Sequence, residues 1–246
     1  IDLSPEADTF VEAPNVILPG VQDGSAIWGD CNNDGASDVL LTGQPSSGPR
    51  IARIYQRKIG YGSFDEVAVL TGVIHGAAGW GDYDNDGWLD LALTGESAAG
   101  PIAQVYHNAR NGSTCVFTLV ATNLVGVKDS TVEWGDYDAD GQLDLLIAGA
   151  DRTGQPVTKI YHNNHGTFVD SGLTLPGIKN GAAIWGDYNN DGRVDFLLTG
   201  TTITNTGLTQ IYRNNGQGAF DKAPSGILPA LRDSAAAWGD YNNDGY

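Results

Sequence analysis

Apolar and polar positions alternate along this chain in blocks too short for helices. Brief apolar runs such as Val39-Leu40-Leu41, Leu145-Leu146-Ile147 and Phe196-Leu197-Leu198 are each followed by Thr-Gly or Ala-Gly. Before each run stands a segment of small residues ending in tryptophan, as in Ser25-Ala26-Ile27-Trp28, Ala77-Ala78-Gly79-Trp80, Thr131-Val132-Glu133-Trp134, Ala182-Ala183-Ile184-Trp185 and Ala235-Ala236-Ala237-Trp238. Beyond each run, past a variable polar loop, come Ile54-Tyr55, Val105-Tyr106, Ile160-Tyr161 and Ile211-Tyr212. A Gly/Asn-rich hairpin such as His162-Asn163-Asn164-His165-Gly166 then leads to a phenylalanine segment at Phe64, Phe117, Phe168 or Phe220, with a further one at Phe10. Short runs bounded by turn residues predict β-strands. Each unit therefore reads as strand A (to the tryptophan), B (the apolar run), C (Ile-Tyr) and D (Phe), with no room for a helix.

The tryptophans at 28, 80, 134, 185 and 238 are 52, 54, 51 and 53 residues apart. Four strands per unit of about fifty residues is the pattern of propeller blades stacked around an axis. The expected fold is an all-β propeller of four-stranded antiparallel blades in one domain, 1–246. Its divisions are a lone outer strand at 1–20, blades at 21–72, 73–126, 127–177 and 178–230, and the start of another at 231–246. A blade shared by the two chain ends would have D and A but neither B nor C. The chain begins with Ile1 and has no methionine, so a processed product or a fragment of a larger ring is expected.

Between strands A and B runs Asp187-Tyr188-Asn189-Asn190-Asp191-Gly192-Arg193-Val194-Asp195. Side-chain oxygens at positions 1, 3, 5 and 9, a carbonyl at 7 and a glycine at 6 make a cage for a hard cation, because Ca2+ takes six to eight oxygens at about 2.3–2.6 Å. The candidate ligands are Asp30, Asn32, Asp34, Ala36 (carbonyl) and Asp38 in the first loop, and Asp82, Asp84, Asp86, Trp88 (carbonyl) and Asp90 in the second. The third loop has Asp136, Asp138, Asp140, Gln142 (carbonyl) and Asp144, and the fourth Asp187, Asn189, Asp191, Arg193 (carbonyl) and Asp195. A fifth loop supplies Asp240, Asn242, Asp244 and Tyr246 before the sequence ends. Two carboxylates about 4 Å apart repel by about 4 kcal/mol at an effective dielectric of 20. Four together therefore favour a bound cation over a bare polar turn. An EF-hand would need a glutamate at position 12 and flanking helices, and dockerin-like repeats recur at a shorter period with helices; the pattern fits neither.

The formal net charge of −17 changes meaning in this light, since sixteen of the thirty acidic residues lie inside the five loops. The remaining fourteen stand against thirteen bases in the whole chain, so the charge is mostly ligand and nucleic acid is not an expected partner. No apolar run reaches the length of a membrane span. Cys31 replaces the position-2 tyrosine of the other loops (Tyr83, Tyr137, Tyr188, Tyr241), and from repeat position alone two unpaired thiols are expected with Cys115, rather than one bridge. His107 and His162 share a repeat position with Gln56 and Arg213 and are expected to be exposed hairpin residues. His75 falls in the D-to-A turn with Asp23, Asp129, Asn180 and Asp233, turns expected to ring the axis at the end opposite the cations. Trp88 could stack on a sugar or cover a blade edge. Asn111-Gly112-Ser113 is an N-glycosylation sequon.

Trp185-Gly186-Asp187-Tyr188-Asn189-Asn190-Asp191-Gly192 and the Tyr-x-Asn strand ends at Tyr106, Tyr161 and Tyr212 resemble the FG-GAP/VCBS repeats of integrin α-subunit propellers and large secreted bacterial proteins. The resemblance implies calcium loops joining strands A and B on one face, with seven blades usual. Trp-Gly in place of Phe-Gly, and Leu-Thr-Gly in place of Gly-Ala-Pro, look closer to the bacterial VCBS-like branch. Three functions follow as expectations. The first is a secreted or cell-surface, non-catalytic adhesion, scaffold or protein-binding module with structural Ca2+. The others are a lectin-like carbohydrate-binding propeller and a fragment of a polysaccharide-degrading enzyme. The partner is expected to be a protein or glycan, without membrane insertion.

Overall fold

The computed structural model describes residues 18–58, 62–109, 111–120, 123–224 and 228–240. The Phe10 segment and the fifth-loop residues Asn242, Asp244 and Tyr246 lie outside the described residues. Within these limits the chain is all strand, with no helix. The first sheet holds β1 (Val21–Gln22), β2 (Ala26–Gly29), β3 (Asp38–Pro45), β4 (Ile51–Arg57) and β5 (Phe64–Val69). The second holds β6 (Ala78–Gly81), β7 (Asp90–Ser97), β8 (Gly100–Asn108) and β9 (Phe117–Val120). The third runs β10 (Lys128–Gly135), β11 (Asp144–Ala150), β12 (Pro156–Asn164) and β13 (Thr167–Asp170). The fourth runs β14 (Lys179–Gly186), β15 (Asp195–Thr201), β16 (Gly207–Asn214) and β17 (Phe220–Lys222).

Every strand pairing is antiparallel and, apart from β1 with β3, between chain neighbours, in the A-B-C-D order expected of propeller blades. In the first blade strand A is split, because β1 and β2 both pair with β3 on either side of Asp23, whose φ is 53°. In the third and fourth blades strand A is continuous, but its register slips between Lys128 and Thr131 and between Lys179 and Ala182. The same turn position has positive φ throughout, at Asp23, His75, Asp129, Asn180 and Asp233. Asp, Asn and His tolerate this conformation better than most residues. The benefit is lateral: His75 N–H donates to the Asp23 carbonyl at 2.9 Å, Asp129 N–H to the His75 carbonyl at 2.7 Å, and Ser234 N–H to the Asn180 carbonyl at 3.0 Å. These turns sit at the opposite end of strand A from the acidic loops, and main-chain hydrogen bonds link blade to blade there.

The core lies between blades. Leu40 and Ile54 of the first blade pack with Leu91, Leu93 and Tyr106 of the second, while Leu146 and Ile160 of the third pack with Phe196, Leu198 and Tyr212 of the fourth. The repeated tryptophans bind these layers at the loop end. Trp80 lies on Gly29, Trp134 on Gly81, Trp185 on Gly135 and Trp238 on Gly186, so closely that a Cβ on any of these glycines would fall 2.7 Å from the indole. The glycine of Trp-Gly-Asp is thus fixed by the tryptophan of the following blade. Tyr83 and Tyr137 stack in turn on Trp134 and Trp185, with interplanar angles of 9° and 5°.

Between the first two blades a covalent bond takes the place of that stack. Cys31 and Cys115 form a disulfide with a Cα separation of 6.0 Å, which corrects the expectation of two unpaired thiols. The reason lies in the neighbouring junction. Cys31 stands where the next loop has Tyr83, and Cys115, two residues before Phe117, stands where the next blade has Gly166 before Phe168. The Tyr83 ring lies against Gly166, 3.5 Å from where its Cβ would be. The two cysteines occupy the matching pair of facing positions one junction earlier.

Candidate metal centre

The four complete loops share one hydrogen-bonded frame. Position 1 accepts two main-chain N–H groups: Asp82 takes Asp86 N–H at 3.0 Å and Gly87 N–H at 2.9 Å. Asp30, Asp136 and Asp187 do the same in their loops. Position 5 accepts from the N–H of position 7, as Asp34 does from Ala36, Asp86 from Trp88, Asp140 from Gln142 and Asp191 from Arg193. The sharp turn needs φ near 50–60° at position 4 (Asn33, Asn85, Ala139, Asn190) and 82–89° at position 6 (Gly35, Gly87, Gly141, Gly192). Glycine is the residue suited to the latter.

The position-9 aspartates Asp38, Asp90, Asp144 and Asp195 are fully buried at the base of the loop. Asp90 accepts from Tyr83 N–H at 3.2 Å and from Asn108 N–H at 2.8 Å, and Asp144 from Tyr137 N–H at 3.0 Å and Asn163 N–H at 2.8 Å. Each carboxylate oxygen keeps a second lone pair for a cation. Burial, followed by repulsion from neighbouring loop aspartates, raises the carboxyl pKa of Asp38 and Asp195 and pushes those of Asp90 and Asp144 up to about 6. Charged carboxylates here are uncomfortable without a counter-ion.

The loops are chemically unequal. In the second, ligand oxygens of Asp82, Asp84 and Asp86 lie within 4.8 Å of one another, and in the third those of Asp136, Asp138 and Asp144 do. In the first and fourth the position-3 residue is an amide that turns its NH2 onto the position-5 carboxylate, Asn32 to Asp34 at 2.8 Å and Asn189 to Asp191 at 3.0 Å. Arg193 also pairs with Asp191. The donor set fits a hard divalent cation in all four loops, with the larger unneutralised charge in the second and third. The carbonyls of Ala36, Trp88, Gln142 and Arg193 sit at position 7. Trp88 is half-buried there. Asp240 is the only fifth-loop ligand position among the described residues.

The loops are also tied to one another. Asn108, buried, donates to the Cys31 carbonyl of the preceding loop at 2.8 Å and to Leu89 of its own at 3.2 Å. Asn163 does the same with Tyr83 at 2.7 Å and Leu143 at 3.0 Å, and Asn214 with Tyr137 at 2.6 Å and Val194 at 3.2 Å. The asparagine of Tyr-x-Asn is therefore an interblade clamp. Further out, Asn33 donates to the Gly87 carbonyl and Asn85 to that of Gly141, at 2.7 and 2.9 Å. Ala139 has no amide with which to continue the series. At that junction a cleft of about 280 Å³ opens, lined by Asp136, Asp138, Ala139 and Arg193 among others.

His107 and His162 are not the exposed hairpin residues expected. They lie in β8 and β12 at 30% and 33% side-chain exposure, each with Nδ1 facing the carboxylates of its own loop. The sequence registered their shared repeat position but gave no sign that strand C runs back beside the loop. Asp38 also has the Cys31 sulfur 3.1 Å away, but a bridged sulfur is no thiolate ligand.

The chain matches no curated protein sequence. FG-GAP-like repeat matches cover residues 30–93, 82–147, 136–198 and 187–246, the first three each running from one acidic loop through the whole of the next. With strand order, loop and repeat in agreement over most of its length, the chain belongs to the FG-GAP-like repeat family.

Proposed function

We propose that the chain is a secreted or cell-surface propeller, stabilised by one Ca2+ per loop, that acts as a non-catalytic adhesion, scaffold or protein-binding module. FG-GAP repeats suggest an interaction module of this architecture. The calcium part rests on one observation, the crowding of loop aspartates above a fully buried Asp90 or Asp144. A divalent ion would draw its oxygens from positions 1, 3, 5, 7 and 9 and relieve both the burial and the repulsion. At tenfold excess over the dissociation constant each ion adds about 1.4 kcal/mol, and four add about 6 kcal/mol. That is comparable with the whole stability of a typical domain, about 5–15 kcal/mol. The ions are structural in this reading.

An extracellular setting is supported by the Cys31–Cys115 bridge, since disulfides persist in oxidising compartments. Weak calcium sites also need the millimolar ion found there. The Trp-Gly and Leu-Thr-Gly signatures favour the bacterial VCBS-like branch over integrin receptors. The partner would be a protein or glycan held by the blade surfaces, and no catalytic step is assigned. Calorimetric melting in millimolar Ca2+ and in chelator tests the metal, with a rise of several degrees expected in Ca2+. Equal melting temperatures in the two buffers would remove calcium from the proposal.

A further inference from the structure

The two histidines beside the acidic loops are not used by an all-oxygen calcium site, and their geometry is the same in both blades. His107 Nδ1 lies 3.2 Å from Asp84 Oδ2 and 3.3 Å from Asp90 Oδ1. His162 Nδ1 lies 3.1 Å from Asp138 Oδ2 and 3.3 Å from Asp144 Oδ1. Both Nδ1 atoms are shielded from solvent, and neither makes a hydrogen bond. A tyrosine holds each ring edge-on, Tyr83 with its centroid 6.3 Å from that of His107 and Tyr137 6.4 Å from that of His162. These are placed nitrogens, aimed at positions 3 and 9 of the loop.

The spacing is that of ligands sharing one small ion. Metal–nitrogen and metal–oxygen bonds of about 2.0–2.2 Å put neighbouring donors about 3.0–3.4 Å apart in octahedral or tetrahedral arrangement. Imidazole adds little to Ca2+, a hard ion that prefers oxygen, but suits borderline first-row ions. The other two blades lack the donor. Gln56 occupies the position in the first and donates to the Ser113 carbonyl at 2.8 Å, and Arg213, a cation, occupies it in the fourth.

We propose that the second and third loops, which take Ca2+ in the reading above, are mixed nitrogen–oxygen sites that exchange it for a borderline divalent ion of the Zn2+ or Co2+ class. Asp84, Asp90 and His107 ligate it in one, and Asp138, Asp144 and His162 in the other, whereas the first and fourth loops take only hard cations. The inference rests on the reading of the loops as cation sites and divides them into two kinds.

The test is equilibrium dialysis of the intact chain against Zn2+ in excess Ca2+, with metal content measured by elemental analysis and repeated with Co2+ for its visible absorption spectrum. Two equivalents of Zn2+ are expected, falling to one in His107→Gln or His162→Gln and to none in the double variant. Glutamine is what the first blade already carries, and circular dichroism confirms that the variants fold. Cobalt should give a nitrogen-ligated absorption band that disappears in the double variant. Zinc retention unchanged by the double substitution, or no zinc retained by the parent chain, overturns the proposal. Calcium-dependent melting of the parent chain separates the two readings: a Ca2+ shift without zinc retention sinks only the mixed sites, and loss of both sinks the cation loops altogether.

Discussion

Replacing Asn163 tests the clamp that joins the second and third blades. Its side chain is fully buried, donates to the Tyr83 carbonyl at 2.7 Å and the Leu143 carbonyl at 3.0 Å, and accepts from Gly166 N–H at 2.8 Å. Alanine would remove the partner of two carbonyls and one N–H in a buried junction. An unsatisfied buried group costs about 1–3 kcal/mol, and a water entering the vacated space recovers part of it, so Asn163→Ala should destabilise by about 2–4 kcal/mol. Asn163→Asp keeps the volume and the Gly166 contact but points a carboxylate at two carbonyls; it should cost more than alanine. Urea unfolding followed by tryptophan fluorescence, with the disulfide intact and Ca2+ saturating, measures both. If volume alone mattered the aspartate variant would match the parent. That result, or an alanine variant within about 0.5 kcal/mol of the parent, would refute the clamp.

Three further outcomes are expected. Gly135→Ala should lose about 1–3 kcal/mol in the same urea assay, because the new methyl would meet the Trp185 indole at 2.7 Å. Replacing both Cys31 and Cys115 by serine should lower stability by about 2–5 kcal/mol, since the bridge closes a segment of 84 residues; thermal melting checks it. In chelator, stability should fall as pH rises from about 4 to 6. Asp90 and Asp144 titrate near 6 when folded and near 3.8 otherwise, so the folded chain holds extra protons between those values and loses that advantage above them. The effect is on the order of 3 kcal/mol per group, and Asp90→Asn with Asp144→Asn should flatten the slope in pH-dependent melts.

What the sequence determined by itself is the strand order and the acidic loop of each repeat. The A-B-C-D strand order follows from short apolar runs between turns, and the loop from acids at alternate positions with glycine at position 6. These depend on contacts between residues near in the chain, so local pattern suffices. What the tertiary structure decided lies between repeats. Trp-Gly reads as a local pair, yet each tryptophan covers the glycine of the blade before it. Tyr-x-Asn reads as a strand end, yet its asparagine reaches back to the preceding loop, 77 to 80 residues away. The Cys31–Cys115 bond was legible only once position 2 of one loop was known to face the residue two before phenylalanine in the next blade. His107 and His162 became candidate ligands inside their own blades, because folding sets strand C beside the loop, a contact the linear pattern does not carry. A repeated sequence specifies each unit many times over, but how units face one another is a matter of side chains meeting across a junction, and only the packed structure brings those surfaces together.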